Sequence, residues 1–138
     1  MPPRRSNIVD RAVVVAAVVD VAIVVAFVLI GRREHDEGAA TSDIVSTAAP
    51  FLFGLATGWL GARAWRRPRA VLTGVAVWVA TVIVGMFTRK VVFDDGIAFS
   101  FIVVATLFLA VCLVGWRAIA SKRYDSPHAV EVTATSGS

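Results

Sequence analysis

The sequence predicts an all-α integral membrane protein, a bundle of four transmembrane helices. The chain has 138 residues, of which 57% are hydrophobic, and soluble domains usually have a smaller apolar fraction. The apolar residues are concentrated in four blocks, each close to the roughly twenty residues that a helix needs to cross a bilayer. The blocks do not alternate apolar and polar residues, as transmembrane β-strands do.

The predicted helices cover about residues 12–30, 46–62, 70–88 and 97–116 within a membrane domain spanning 12–118. We interpret the first block as a retained helix, because it is longer than a signal-peptide core and no A-x-A cleavage site follows. Pro50 lies either in the first turn of the second helix or inside it as a kink. Residues 1–11 are predicted to be a cytoplasmic segment, and the small, polar residues 119–138 a disordered cytoplasmic tail.

The basic residues predict the orientation of the bundle, because cytoplasmic flanks are enriched in Lys and Arg. One side holds ten of the fourteen and the other side holds four. Both termini should therefore be cytoplasmic. The ten are Arg4, Arg5, Arg11, Arg63, Arg66, Arg67, Arg69, Arg117, Lys122 and Arg123, and the four are Arg32, Arg33, Arg89 and Lys90.

Two short motifs recur at one offset. "GW" occurs at 58–59 and 115–116, and "RR" at 32–33 is matched by "RK" at 89–90, fifty-seven residues apart in both cases. This spacing is consistent with two similar helical hairpins, a parallel repeat. The alternative is that any two hairpins with the same distribution of charge look alike.

Small residues recur on one face of the second helix. Gly54, Gly58 and Ala62 are spaced four apart, which lets helix backbones approach closely. The motif predicts packing within the bundle, and its alternative use is a homodimer seam.

Asp20 is the candidate functional residue. It lies roughly 12–15 Å from either end of the first block, and the other three blocks contain no Lys, Arg or His at that depth. We therefore expect an isolated carboxyl group that takes up a proton. It is either a structural hydrogen-bonding group or a proton- or cation-binding residue that faces a hydrated cavity. The side chains expected near it are Trp78, Thr81, Thr57 and Thr106.

Other kinds of site are not indicated. The acidic residues and His35 of the first outer loop follow one another directly, which does not bring metal ligands together, so a solvated loop is predicted. The pattern contains no nucleophile–base pair, and we expect no enzyme activity, no metal and no cofactor. Nucleic-acid binding is not expected either, because the polar segments are too short to form a binding module.

The arrangement of Asp20 in the first helix, "GRREH" directly after it, "PFLFG" in the second and Arg89 ending the third resembles the prokaryotic membrane family catalogued as domain of unknown function 3054. The resemblance covers roughly residues 8–118. It implies four membrane helices and residence in the cytoplasmic membrane of a prokaryote, and it carries no activity. The positions matching the family pattern are Asp20, Gly31, Arg32, His35, Pro50, Phe51 and Arg89.

Two functions are consistent with these observations. The first is a small-solute or ion transporter, or a proton-linked subunit of one, that uses Asp20. The alternative is a non-transporting membrane scaffold or regulatory subunit. The expected partners are the lipid bilayer and either a second copy or another membrane protein. The distinguishing feature is whether Asp20 faces water or protein.

Overall fold

The computed structural model describes residues 4–33, 41–93 and 99–125, and its described residues form helices and no strands. The four helices are α1 (Arg4–Arg33), α2 (Thr41–Gly61), α3 (Val71–Phe93) and α4 (Phe99–Asp125). A short 3-10 helix, Ala64–Arg66, lies between α2 and α3. Each long helix contains a segment long and apolar enough to cross a membrane: Asp10–Gly31, Ile44–Gly61, Val71–Val92 and Phe99–Arg123. The predicted all-α four-helix membrane bundle is confirmed.

The helices extend beyond the apolar blocks from which they were predicted. α1 begins at Arg4, within the predicted N-terminal segment, and α4 continues to Asp125. The prediction of a disordered tail is therefore wrong for residues 119–125. Hydrocarbon thickness limits the apolar length and not the helix itself, and the sequence contains no Gly or Pro between Trp116 and Pro127 to end the helix. Residues 126–138, and the outer-loop residues 34–40 that include His35, lie outside the described residues.

The backbones of α2 and α3 touch at glycines. A Cβ atom on Gly54 would lie 2.8 Å from the backbone oxygen of Thr81, and one on Gly58 would lie 3.0 Å from the Cα of Val77. Both glycines therefore face α3 of the same chain. Ala62 follows the end of α2, lies in the turn and packs against the core.

Aromatic rings fill the bundle about two turns from Asp20. The Phe27 ring centroid lies 5.5 Å from that of Phe51 and 5.7 Å from those of both Phe101 and Phe108. The guanidinium carbon of Arg89 lies 5.1 Å from the Phe101 ring centroid, within the range of a cation–π interaction. We call these four rings and Arg89 the aromatic cluster.

Replacing Gly58 with Leu should destabilise the bundle, because the larger side chain forces α2 and α3 apart. We expect a loss of about 1–3 kcal/mol in the free energy of unfolding, typical of overpacking. Thermal unfolding in detergent measures it. Gly61→Leu in the same helix is the matched control, since nothing lies within 4 Å of a Cβ at that position. Equal losses in both variants would contradict the role of close α2–α3 packing.

Candidate functional site

Asp20 forms a buried salt bridge with Arg117. The Nη2 atom of Arg117 lies 2.6 Å from Oδ2, and its Nη1 atom lies 2.9 Å from Oδ1. Both side chains are 0% exposed. The expectation that Asp20 lacks a basic partner is therefore wrong. Arg117 was assigned to the cytoplasmic flank, but side chains on a helix lean toward its N-terminus, and here that direction leads into the bundle.

Two indole groups complete the surroundings of the carboxylate. Trp59 donates from Nε1 to Oδ2 and Trp116 donates from Nε1 to Oδ1, both at 2.9 Å. Each oxygen thus accepts two N–H bonds, which occupies all four lone-pair positions of an ionised carboxylate. Asp20 is therefore not the isolated carboxyl group that the sequence predicts.

Two further N–H groups of Arg117 reach the backbone. Nε donates to the oxygen of Pro68 at 2.9 Å, and Nη1 donates to that of Leu113 at 2.8 Å. The guanidinium carbon also lies 4.6 Å from the Trp116 ring centroid. These contacts join α1, α2, the α2–α3 connection and α4. We call Asp20, Trp59, Trp116 and Arg117 the Asp20 clamp.

Gly74 in α3 leaves room for the side chain of Arg117. A Cβ atom there would lie 2.7 Å from Cδ of Arg117 and 3.1 Å from the oxygen of Leu113. The side chain of Arg117 therefore passes directly across the α3 backbone. Any residue larger than glycine would obstruct this path.

The side chains predicted to surround Asp20 bond elsewhere. Thr57 and Thr81 donate to carbonyl oxygens four residues earlier in their own helices, those of Phe53 and Val77, a common arrangement for helical threonines. Trp78 donates to the backbone oxygen of Thr106 and so links α3 to α4. The described donors to the Asp20 carboxylate are instead Trp59, Trp116 and Arg117.

The repeated "GW" motif contains both of the tryptophans that donate to Asp20. Trp59 and Trp116, separated by the repeat offset, both donate to one carboxylate. The residues that follow them differ. Trp59 is followed by Leu60, which is 68% exposed, and Trp116 is followed by Arg117, which is buried. Each hairpin therefore supplies one indole, while the carboxylate comes from α1 and the guanidinium from α4.

The remaining family-pattern residues are distributed over the bundle. Phe51 and Arg89 belong to the aromatic cluster. Pro50 is buried and lies inside α2, which decides between its two predicted positions. Gly31 is exposed near the end of α1, and Arg32 follows it in the same helix. Phe51, Arg89, Pro50 and Gly31 lie outside the Asp20 clamp.

Among the cavities in the described part of the chain, two have a lining that bears on the candidate sites. One, of about 490 Å³, is lined by Ala62, Arg63, Arg66, Arg67 and Thr73. The other, of about 260 Å³, is apolar and lies between α1 and α2; its lining includes Val25, Ile44 and Leu52. No clamp residue lines either cavity. Among the described residues, no group of three or more His, Cys, Asp or Glu is placed to hold a metal ion.

Removing either indole donor should weaken the clamp. Trp59→Phe and Trp116→Phe each leave one lone pair of a buried carboxylate unfilled, and a hydrogen bond to a charged group contributes about 1.5–3 kcal/mol. We expect losses of that size in the free energy of unfolding, measured by chemical denaturation in detergent micelles. The control is Trp65→Phe, because that ring is 43% exposed. If all three variants were equally stable, the indole bonds would contribute nothing.

Comparison with known proteins agrees with the resemblance in the sequence. The family model described as "Protein of unknown function (DUF3054)" matches residues 17–120, which include every member of the Asp20 clamp and of the aromatic cluster. No curated protein and no solved structure matches the chain. Because the matched segment covers well over half of the 138 residues, this four-helix membrane protein belongs to the DUF3054 family.

Proposed function

We propose that the protein is a non-transporting membrane subunit that scaffolds or regulates a partner, and that the Asp20 clamp holds its helices in one arrangement. The observation that supports this is the saturation of Asp20, whose two oxygens accept four N–H bonds while its side chain is fully buried. A site in this state has no vacant position for a proton or a cation.

A carrier role for Asp20 would require the clamp to open. A transported proton needs a free lone pair and a path from water, whereas the Asp20 side chain is 0% exposed and its two oxygens accept four N–H bonds. Neutralising Asp20 would also leave the charge of Arg117 buried without its partner. Breaking a buried pair in this way costs about 3–5 kcal/mol, which opposes repeated opening unless a substrate compensates.

A clamp of this kind contributes to specificity more than to stability. Buried ion pairs can often be replaced by apolar residues with no loss of stability, but polar partners favour the one arrangement that satisfies them all. Here the bonds of Arg117 link α4 to α1 and to the α2–α3 connection. A scaffold needs this property, since it must present one fixed surface to its partner.

A second candidate is a proton-linked anion carrier, and one observation favours it. The guanidinium fork and two indole N–H groups form an anion receptor that Asp20 itself occupies. In this mechanism, protonation of Asp20 would release Arg117 to a substrate anion. Intramembrane charges commonly mark such pathways.

The double variant Asp20→Asn/Arg117→Met distinguishes the two functions. It removes both buried charges, while Asn keeps a carbonyl oxygen that can accept an indole N–H. The scaffold proposal expects it to reach the membrane, to be more stable than either single variant and to complement a deletion strain under the condition that impairs the growth of that strain. Reconstituted vesicles should show no proton flux with either protein.

The carrier mechanism expects a different result from the same variant. The double variant would fold and insert normally but would not complement, and wild-type vesicles would show anion-dependent proton uptake that the variant lacks. That combination would overturn the scaffold proposal. Complementation is interpreted only after membrane level and thermal stability have been measured for each variant.

A further inference from the structure

The connection between α2 and α3 surrounds a basic cavity that the proposed function does not use. Its volume is about 490 Å³, and Arg63, Arg66, Arg67 and Thr73 provide its polar lining. All three arginines are exposed. The apolar span in α2 ends at Gly61 and the span in α3 begins at Val71, so the cavity lies at the membrane boundary.

The charge of this cavity is suited to an anion. Its lining contains three guanidinium groups and no carboxylate. Like charges so close together repel one another, and a bound anion relieves the repulsion. Guanidinium forks match the geometry of phosphate oxygens, and the hydroxyl of Thr73 is a further donor.

The backbone at Arg63 gives an independent indication. Its φ and ψ are 48° and 50°, in the left-handed region, and it is the one described non-glycine residue with positive φ. Glycine normally takes this position after a helix, because a side chain there is strained by roughly 1–2 kcal/mol. A strained arginine at the edge of a basic cavity suggests that its side chain has a role there.

Apolar side chains adjoin the basic ones in sequence. Leu60 is 68% exposed, Leu72 is 79% exposed and Trp65 is 43% exposed, and Trp commonly lies at headgroup level. A ligand held by the arginines would meet apolar surface on the membrane side. This combination fits an amphiphile better than a free anion.

The connection is also held in place before any ligand binds. Arg117 donates from Nε to the backbone oxygen of Pro68, and Arg66 donates its backbone N–H to the oxygen of Arg63. A preorganised site loses less conformational entropy on binding. We propose that this cavity binds the phosphodiester headgroup of an anionic phospholipid.

The test compares nanodiscs of phosphatidylcholine alone with nanodiscs that also contain phosphatidylglycerol. Phosphatidylglycerol should raise the thermal midpoint of the full-length protein, and native mass spectrometry should detect its retention. Each basic residue at a membrane surface changes affinity by about fivefold. The triple variant Arg63→Gln/Arg66→Gln/Arg67→Gln should therefore bind on the order of a hundredfold more weakly.

Arg63→Gly separates loss of the ligand from loss of the fold. It relieves the left-handed strain, so its thermal midpoint in phosphatidylcholine should equal or exceed that of the wild type. Its stabilisation by phosphatidylglycerol should nevertheless fall. Arg11→Gln is the matched control, because it removes one exposed positive charge outside the cavity, and it should keep most of the response.

The source of the phosphate is decided in a separate arm with inorganic phosphate in phosphatidylcholine nanodiscs. Stabilisation by phosphatidylglycerol and not by millimolar inorganic phosphate supports the lipid. Equal stabilisation by inorganic phosphate would overturn the proposal of a lipid ligand and would indicate a soluble anion. If neither phosphatidylglycerol nor inorganic phosphate stabilised the protein, or if the triple variant kept the full lipid response, the proposed binding site would be overturned. These outcomes do not depend on whether the protein is a scaffold or a carrier.

Discussion

Replacing Asp20 with Asn should lower the free energy of unfolding by about 3–5 kcal/mol, the usual effect of breaking a buried ion pair. Asn has one acceptor oxygen where Asp20 has two, and its amide would point N–H groups at the N–H donors of Arg117 or a tryptophan. The positive charge of Arg117 would then lie buried without a counter-charge. Asp10→Asn, in the exposed part of α1, is the matched control and should change stability little.

A double-mutant cycle isolates the contribution of the pair. Arg117→Met should be similarly destabilising, because it leaves a charged carboxylate buried with only its two indole donors. The double variant should be much more stable than the sum of the single losses predicts, since neither charge remains. Chemical denaturation in detergent measures all four proteins. Additive losses would show that Asp20 and Arg117 do not act as a pair.

Gly74→Ala should be strongly destabilising, with an expected loss of roughly 3 kcal/mol or more in the free energy of unfolding from overpacking combined with a displaced ion pair. The new Cβ would lie 2.7 Å from Cδ of Arg117. That atom cannot move freely, because the guanidinium beyond it is held by Asp20, Pro68 and Leu113. Thermal unfolding and tryptophan fluorescence report the loss of stability and the changed surroundings of the indoles.

Gly115→Ala provides the comparison for this substitution. Nothing lies within 4 Å of a Cβ at that position, and Ala is favoured over Gly inside a helix by about 0.5–1 kcal/mol. This variant should be as stable as the wild type or slightly more stable. In a background carrying Asp20→Asn and Arg117→Ala, Gly74→Ala should lower the free energy of unfolding much less, because the Cδ atom of Arg117 is absent. An equal loss of stability in both backgrounds would show that the added methyl group does not clash with Arg117.

The sequence by itself determined that the chain forms four membrane helices, and it located them. Crossing a bilayer is a requirement on each segment separately: about twenty consecutive apolar residues satisfy it whatever their neighbours are. The family could be recognised in the same way, from local patterns around Asp20, Pro50 and Arg89. The small-residue spacing in α2 is a local pattern as well, although only the structure shows that α3 covers Gly54 and Gly58.

Only the tertiary structure decided what Asp20 does, because its partners come from distant parts of the chain. Arg117 lies ninety-seven residues away, close to the end of the apolar block, where a long basic side chain can extend outward to water or inward to the bundle. The inward direction depends on the space left by Gly74 in α3 and on acceptors in α1, α4 and the α2–α3 connection. Thr57 and Thr81, two of the threonines expected near Asp20, donate to carbonyl oxygens of their own helices. Depth in the membrane follows from position in one helix, whereas a buried charge pair follows from the packing of several.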